Sequence, residues 1–248
     1  MSFMAPAGPS VAPGTPVSGG GQGAGLYGWR RAAVQIAGAA ACSLALIGGT
    51  NVSAAAADAP IIIVALGDSL TAGYGLPDDD GFVPRLQAAL TASGASATIR
   101  DAGVSGDTAS DGLARLDWSV APGTDAVILE LGANDMLRGI DPKVTREALD
   151  GILRRLTDRH IAVMLCGMRA APNLGSDYGQ AFDRIYPDLA AKYGVMLYPF
   201  FLDGVAADLS LTQHDGMHPN AKGVSIIVER ILPHVEDLIA RVHAPHPS

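Results

Sequence analysis

The chain has 248 residues, of which 48% are hydrophobic and 17% are charged, and its formal net charge is −8 at pH 7. This composition supplies enough apolar side chains for one well-packed core and is not that of a disordered chain. The excess of acidic residues argues against a nucleic acid as partner, because phosphate backbones are bound by basic surfaces.

The first 58 residues are predicted to form two segments outside the folded domain. Residues 1–29 are rich in Gly, Pro, Ala and Ser, which predicts a disordered leader. Residues 30–58 begin with two arginines, continue as an uncharged apolar run and end in small residues, a pattern typical of a secretory signal peptide cleaved near Ala57. An uncleaved membrane anchor is the alternative, because the apolar run approaches the length that spans a bilayer. We therefore expect an exported protein, which is membrane-anchored if the leader is not cleaved.

A single domain is predicted over residues 59–248. Cys42 lies in the export segment, so Cys166 is the only cysteine of a mature form. No internal disulfide can form in such a chain. Cys166 falls in a predicted buried strand with no activating neighbour, and we interpret it as an ordinary small apolar residue.

The first predicted strand of this domain ends at a serine. Residues 61–66 are apolar and mostly β-branched, and Gly67-Asp68-Ser69 follows at once. This order predicts a buried parallel strand whose carboxyl end presents the Ser69 hydroxyl on a sharp turn. Open α/β sheets bind their ligands at that edge. Ser69 is therefore a candidate nucleophile, and Asp68 is a candidate residue of the substrate pocket or, alternatively, a Mg²⁺ ligand.

Two further strand ends offer hydrogen-bond donors. Residues 97–102 and 125–131 are predicted strands, and Gly106 and Asn134 follow them. The backbone amide of Gly106 and the side-chain amide of Asn134 would then face the same crevice as Ser69. Taken singly, each of these two residues is at least as typical of a tight turn.

The last two predicted strands, residues 161–166 and 195–198, border a long loop. This loop, residues 167–175, is apolar at several positions and lies at the carboxyl edge of the sheet, so we predict that it forms a wall of the substrate pocket. The apolar residues 200–202 are predicted to line the same pocket or to belong to the core. The candidate pocket residues in the long loop are Met168, Ala170, Ala171 and Pro172.

A turn before the final helix holds a candidate general base. Asp215 and His218 are three residues apart, close enough for the carboxylate to accept a hydrogen bond from the imidazole and to fix its tautomer. His214 is the local alternative, but it has no carboxylate three residues before it. The other four histidines are interpreted as surface residues.

Strands alternate with helical patterns throughout the domain, and the last helix runs through residues 226–238. This alternation predicts an α/β protein. The expected architecture is a three-layer α/β/α sandwich with a five-stranded parallel sheet in the flavodoxin-like order 2-1-3-4-5.

In such a fold the candidate residues would meet around one acyl carbonyl. Ser69 would attack the carbonyl carbon, His218 would accept and later return the proton, and Asp215 would orient the imidazole. The amides of Ser69 and Gly106 and the side chain of Asn134 would bind the oxyanion. The Gly-x-Ser-x-Gly elbow of the α/β-hydrolases is absent.

Four sequence blocks resemble those of the SGNH, or GDSL, hydrolase family: Gly67-Asp68-Ser69-Leu70, Gly106, Gly132-x-Asn134-Asp135 and Asp215-Gly-Met-His218. Longer stretches over residues 66–74 and 130–139 resemble the bacterial branch of arylesterases, acyl-CoA thioesterase I and lysophospholipase L1. The resemblance covers about residues 60–238. It implies a periplasmic hydrolase of small-molecule carboxylic esters and thioesters that uses no cofactor and no metal.

The chain departs from this branch at Ala170-Ala171, where the branch has a Leu-Pro pair near the acyl chain. The smaller residues favour short-chain or aryl esters. A carbohydrate-ester deacetylase of the same family is an alternative.

Two other classes of protein are alternatives to an esterase. A Mg²⁺-dependent phosphoryl-transfer or flavodoxin-like protein would need further carboxylates beside Asp68 at neighbouring strand ends. A carbohydrate-binding module is disfavoured by an aromatic content of 5%. No stable membrane partner is expected after cleavage of the leader, and the sequence predicts no oligomeric state.

Overall fold

The computed structural model describes residues 59–243. The predicted leader over residues 1–29 and the predicted signal peptide or anchor over residues 30–58 lie outside the described residues. Between residues 59 and 243, no helix combines the length and the apolar character needed to cross a bilayer.

A five-stranded parallel sheet forms the centre of the described domain. Its strands run in the order β2-β1-β3-β4-β5, which confirms the predicted α/β fold and strand order. In register, Ile63 of β1 lies between Ile99 of β2 and Ala126 of β3. The strands are β1 (Ile61–Gly67), β2 (Ala97–Gly103), β3 (Ala126–Glu130), β4 (Ala162–Cys166) and β5 (Met196–Tyr198).

Helices cover both faces of the sheet. On one face α2 packs against α9, and α9 also contacts β3, β4 and β5. On the other face α3 and α8 both pack against α6. The helices are α1 (Ser69–Ala72), α2 (Phe82–Ser93), α3 (Ala109–Ala114), α4 (Leu116–Ser119), α5 (Ala133–Leu137), α6 (Pro142–Asp158), α7 (Ser176–Asp183), α8 (Ile185–Tyr193) and α9 (Ala221–His243).

The central strands are buried between these layers. Every residue of β3 is buried, and so are the last five residues of β1. Strands covered on both faces are expected to be continuously apolar, as these are up to the point where each one ends. Full burial of one Leu or Ile side chain contributes about 1.5 to 3 kcal/mol to the stability of the fold. The carboxyl ends of these strands are therefore held in place by a well-packed core.

Candidate active site

Ser69 lies at the carboxyl end of β1, as the first residue of the short helix α1. Asp68 caps this helix, because its Oδ1 accepts a hydrogen bond of 2.9 Å from the Leu70 amide. Gly67 is needed at the bend, since a Cβ atom there would lie 2.0 Å from the Thr71 Oγ1 atom. The chain therefore turns sharply and leaves the Ser69 side chain partly exposed at the edge of the sheet.

Ser69, His218 and Asp215 form one hydrogen-bonded line. The Nε2 atom of His218 lies 2.9 Å from Ser69 Oγ, and its Nδ1 atom lies 2.6 Å from Asp215 Oδ2. The other oxygen of Asp215 accepts from the amides of Met217 and His218 at 2.9 and 3.0 Å. The three side chains thus have the contacts that a nucleophile, a base and an orienting carboxylate need.

Hydrogen bonding keeps the Asp215 carboxylate ionised. Its partial burial alone would raise the pKa of Asp215, but the hydrogen bonds from the His218 ring and from the amides of Met217 and His218 outweigh burial and lower the pKa to about 2. A permanent negative charge beside Nδ1 favours the imidazolium form that arises when Nε2 accepts a proton.

Contacts that the sequence analysis did not predict hold His218 in place. The ring of Tyr74 lies 4.8 Å from the His218 ring, centroid to centroid. The side-chain amide of Gln213 donates to the carbonyls of Tyr74 and Pro219 at 2.7 and 3.0 Å. The backbone amide of Gln213 donates to the His218 carbonyl at 2.7 Å. Gln213 therefore ties the segment after Ser69 to the turn that carries His218.

Asn134 reaches the Ser69 turn from the start of α5. Its Nδ2 atom donates to Asp68 Oδ2 at 3.1 Å and to the Asp107 carbonyl at 3.0 Å. Both hydrogens of this amide are thus engaged in the structure. An incoming oxyanion would have to share one of them in a three-centre hydrogen bond or displace the Asp107 carbonyl.

Gly106 lies in the loop after β2 with a φ angle of +89°, a conformation that favours glycine. Its carbonyl accepts a hydrogen bond of 2.6 Å from the Arg138 guanidinium. In the described part of the chain no acceptor faces its amide. Gly106 does not line the cavity beside Ser69.

Arg115, which the sequence analysis also missed, joins the first two strand ends. Its Nε atom lies 2.5 Å from Asp107 Oδ2, and its Nη2 atom donates to the Gly67 carbonyl at 2.9 Å. The side chains of Arg115 and Asp107 are only 15% and 14% exposed. This pair fixes the Gly106 loop against the end of β1.

A cavity of about 510 Å³ opens beside Ser69. Ser69, Asn134 and His218 lie in its wall, and so do the four predicted residues of the long loop after β4. The other walls are mainly apolar and come from α5 and from the segments after β5. The principal lining side chains are Met136, Leu137, Met168, Ala170, Ala171, Pro172, Phe200, Leu202, Val205 and Met217.

The expectation that Asp68 belongs to the substrate pocket is corrected by the structure. Its side chain is fully buried and does not line the cavity. The reason is its capping role, since the carboxylate turns inward to the Leu70 amide and Asn134. Burial raises the pKa of Asp68 to about 6, although these hydrogen bonds and the charge of His218 oppose the shift.

Two other polar groups of the sheet lie behind the cavity. Glu130, the last residue of β3, is fully buried next to Asp68, and Cys166 of β4 is fully buried as well. Burial raises the pKa of the Cys166 thiol well above its ordinary value. Between residues 59 and 243, no three His, Cys, Asp or Glu side chains are grouped as metal ligands.

Comparison with known proteins places the chain in a family. The model of the GDSL-like lipase/acylhydrolase family matches residues 65–226. The chain is 39% identical over 176 residues to an arylesterase of Vibrio mimicus, covering 71% of this chain and 88% of the relative. It is 36% identical over 187 residues to thioesterase 1/protease 1/lysophospholipase L1 of Escherichia coli (strain K12), covering 75% and 87%.

Solved structures agree with this result. The crystal structure of TesA is 35% identical, with a TM-score of 0.68 and coverage of 71% of this chain and 99% of TesA. The structure of AlinE4, described as an SGNH-hydrolase family esterase, is 43% identical, with a TM-score of 0.62 and coverage of 75% and 98%. The resemblance noted in the sequence is thereby confirmed: the chain belongs to the GDSL-like lipase/acylhydrolase family, the SGNH hydrolases.

Proposed function

We propose that this protein is a serine hydrolase of carboxylic esters, with activity on thioesters as well. The observation that carries the proposal is the unbroken line from Ser69 Oγ through His218 to the Asp215 carboxylate, with distances of 2.9 and 2.6 Å. The names of its relatives, arylesterase and thioesterase 1/lysophospholipase L1, support the same reaction class.

Acylation begins at the Ser69 hydroxyl. Its oxygen attacks the carbonyl carbon of the ester while the His218 Nε2 atom accepts the hydroxyl proton. The resulting imidazolium is stabilised by Asp215, which stays ionised. His218 then returns the proton to the leaving alcohol or thiol, and an acyl group remains on Ser69.

Deacylation repeats these steps with water as the nucleophile. His218 accepts a proton from water, the hydroxide oxygen bonds to the acyl carbon, and the proton returns to Ser69 Oγ as the carboxylic acid leaves. No step uses a redox cofactor or a metal ion.

Three donors are proposed for the oxyanion: the amides of Ser69 and Gly106 and the side chain of Asn134. The Gly106 amide has no acceptor in the described part of the chain, and Asn134 lines the cavity beside Ser69. One such donor typically lowers the barrier by about 3 to 4 kcal/mol. Asn134 reaches the oxyanion when it shares the hydrogen that now binds the Asp107 carbonyl.

The apolar cavity is proposed to hold the acyl or aryl part of the substrate. Its volume of about 510 Å³ is within the range of pockets for whole small-molecule ligands. The alanines at positions 170 and 171 leave room for a flat ring in its wall. We propose aryl esters and esters of short acids as the preferred substrates.

The proposal is tested by hydrolysis of p-nitrophenyl acetate and butyrate. Ser69→Ala and His218→Ala are expected to abolish turnover, whereas His214→Ala, a change at an exposed histidine of the same turn, is expected to leave it unchanged. EDTA is expected to have no effect, while a Mg²⁺-dependent enzyme would lose its activity. Turnover that survives both Ser69→Ala and His218→Ala would overturn the proposal.

Export is proposed separately, on the signal-like pattern of residues 30–58. Fractionation of cells that produce the full chain should place the activity in the periplasm. Activity confined to the cytoplasm would contradict export without affecting the assignment of the reaction.

A further inference from the structure

Glu130 lies directly behind the turn that carries Ser69. It is the last residue of β3, and its side chain has no exposed surface. Its Oε2 atom lies 2.7 Å from Thr71 Oγ1, which donates to it, and accepts a longer hydrogen bond of 3.3 Å from the Asp68 amide. Its Oε1 atom has no hydrogen-bond donor among the described residues.

We propose that Glu130 is an uncharged carboxylic acid in the folded protein and that it acts as a positioning residue, donating its proton to the Asp68 carboxylate and thereby fixing the Ser69 turn and Asn134. This inference deepens the proposed function, on which its catalytic part rests. The protonation state itself does not depend on the reaction catalysed.

The surroundings of Glu130 favour the neutral form. The titratable groups that face it are Asp68 at the end of β1, Cys166 on β4 and Tyr186 on α8, and none of these is a cation. Arg115 approaches the same turn, but its guanidinium contacts the Gly67 carbonyl, Asp107 and Ser119 instead. A buried carboxylate without a cation or a full set of donors is strongly destabilising, so the group retains its proton.

The side chains of Glu130 and Asp68 lie near enough to interact, and a hydrogen bond between the two carboxyl groups requires a proton between them. Burial is the main cause that raises the pKa of both groups, and a hydrogen bond between the two side chains further raises the pKa of Glu130 and lowers that of Asp68. The negative charge of Asp68 raises the pKa of Glu130 further. Both oxygens of Asp68 accept hydrogen bonds, whereas Glu130 Oε1 has no donor among the described residues. Glu130 therefore keeps the proton, and Asp68 is the carboxylate at neutral pH.

The side chains of Thr71 and Glu130 pack closely against Gly67. A Cβ atom on Gly67 would lie 2.0 Å from Thr71 Oγ1 and 2.6 Å from Glu130 Oε2. Any side chain at position 67 would therefore push the two groups apart. Glycine at this position permits the close approach of Glu130 and Thr71 beneath the turn.

Asp68 links Glu130 to the Ser69 turn and to Asn134. One Asp68 oxygen accepts from the Leu70 amide, next to Ser69, and the other accepts from Asn134 Nδ2. If Glu130 were ionised, it would repel Asp68 and would no longer donate to it. The Leu70 amide and the side-chain amide of Asn134 would then lose a well-placed common acceptor.

The first experiment follows protein stability against pH. In the wild type the folded state keeps the Glu130 proton above the ordinary glutamate pKa, whereas the unfolded state releases it. The stability contribution of Glu130 is therefore fully present below that ordinary pKa and is lost as the pH rises toward the raised pKa of the folded state. Glu130→Gln, which is neutral at every pH and whose amide can donate to Asp68, has no such dependence.

The stability difference between the wild type and Glu130→Gln is expected to grow as the pH rises. Urea unfolding at about pH 5, 6.5 and 8 should show the folding equilibrium constant of the wild type falling relative to Glu130→Gln by up to tenfold per pH unit. Glu147→Gln, a matched change at an exposed glutamate of α6, should show no such divergence. A ratio between wild type and Glu130→Gln that is independent of pH would overturn the proposed protonation state.

Infrared difference spectroscopy gives an independent readout. The spectrum of the wild type minus that of Glu130→Gln at about pH 7 should contain the carbonyl stretch of a protonated carboxylic acid, because the group keeps its proton there. A carboxylate stretch in its place would overturn the proposal. Both readouts can be taken on Ser69→Ala protein, so they stand even if the proposed reaction fails.

The positioning role is tested by kinetics. Glu130→Gln is expected to keep kcat within about twofold, since it preserves the donor and the acceptors. Glu130→Leu removes them and is expected to lower kcat about tenfold or more with little change in KM, because the cavity wall is untouched. An ionised Glu130 would give the opposite pattern, with a large loss in Glu130→Gln.

Discussion

The imidazole of His218 lies 2.9 Å from the hydroxyl of Ser69, although 149 residues separate the two in sequence. The contact depends on two different supports. Ser69 begins the short helix α1 directly after strand β1, whereas His218 lies on an irregular turn before α9 that Asp215 and Gln213 stabilise.

Asp215→Asn is expected to lower kcat by a factor of about 10² to 10⁴, because an amide does not stabilise the imidazolium and favours the wrong tautomer. Its effect on KM should be small, since the Asp215 side chain does not line the cavity. Steady-state kinetics with p-nitrophenyl butyrate measure both constants. A kcat within twofold of the wild type would remove Asp215 from the proposed mechanism.

The low pKa of Asp215 also predicts how stability depends on pH. Because the pKa in the folded state is depressed to about 2, the stabilisation from this carboxylate is present above its ordinary pKa and is lost as the pH falls through the range down to about 2. The stability difference between wild type and Asp215→Asn should therefore shrink as the pH falls below about 4 and disappear near pH 2. Chemical unfolding at pH 3 and pH 7 checks this, and an equal difference at both values would contradict it.

Asn134→Ala is expected to lower kcat by about 10² to 10³ with little change in KM, the effect of losing one oxyanion donor. The same variant removes a partner of Asp68, so its stability must be measured beside its kinetics. Asn173→Ala, at an exposed asparagine of the loop after β4, is the matched control and should leave kcat unchanged. An unchanged kcat in Asn134→Ala would show that this side chain does not bind the oxyanion and only donates hydrogen bonds to Asp68 and the Asp107 carbonyl.

Ala171→Phe is expected to fill part of the cavity. The kcat/KM for aryl esters and for butyrate should fall relative to that for acetate, by about 10- to 200-fold, because the new ring occupies space in the cavity that the larger substrate groups need. Ala92→Phe, at an exposed position of α2, is the control for a general effect of the larger side chain. A parallel loss for all acyl lengths would indicate distortion of the site rather than a narrower pocket.

The strand order could be predicted because it depends on local patterns. Apolar runs such as residues 61–66, each followed by turn residues and a helical pattern, determine a parallel sheet almost completely through the rules for crossover connections. The same reasoning located Ser69, Asn134 and His218 near one edge. The structure places these three side chains in the wall of one cavity.

The supporting contacts could not be predicted, since each one joins side chains whose positions depend on packing. Arg115 donates to Gly67 over 48 residues, and Glu130 accepts from Thr71 over 59 residues, and no periodicity in the sequence marks either pair. Asp68 was misplaced for the same reason. A carboxylate next to a nucleophile indicates a pocket residue, and the capping bond to Leu70 that turns it inward is visible only in three dimensions.

In the proposed mechanism the Ser69 hydroxyl is the nucleophile and His218 activates it. The most direct test is labelling with an alkyl fluorophosphonate, followed by mass spectrometry of the intact protein and of its peptides. One adduct per chain is expected, located on Ser69, with loss of esterase activity in proportion to labelling and with much slower labelling in His218→Ala. An adduct on a residue other than Ser69 would contradict this mechanism. So would a Ser69→Ala variant that hydrolyses esters and loses that activity when the reagent is added.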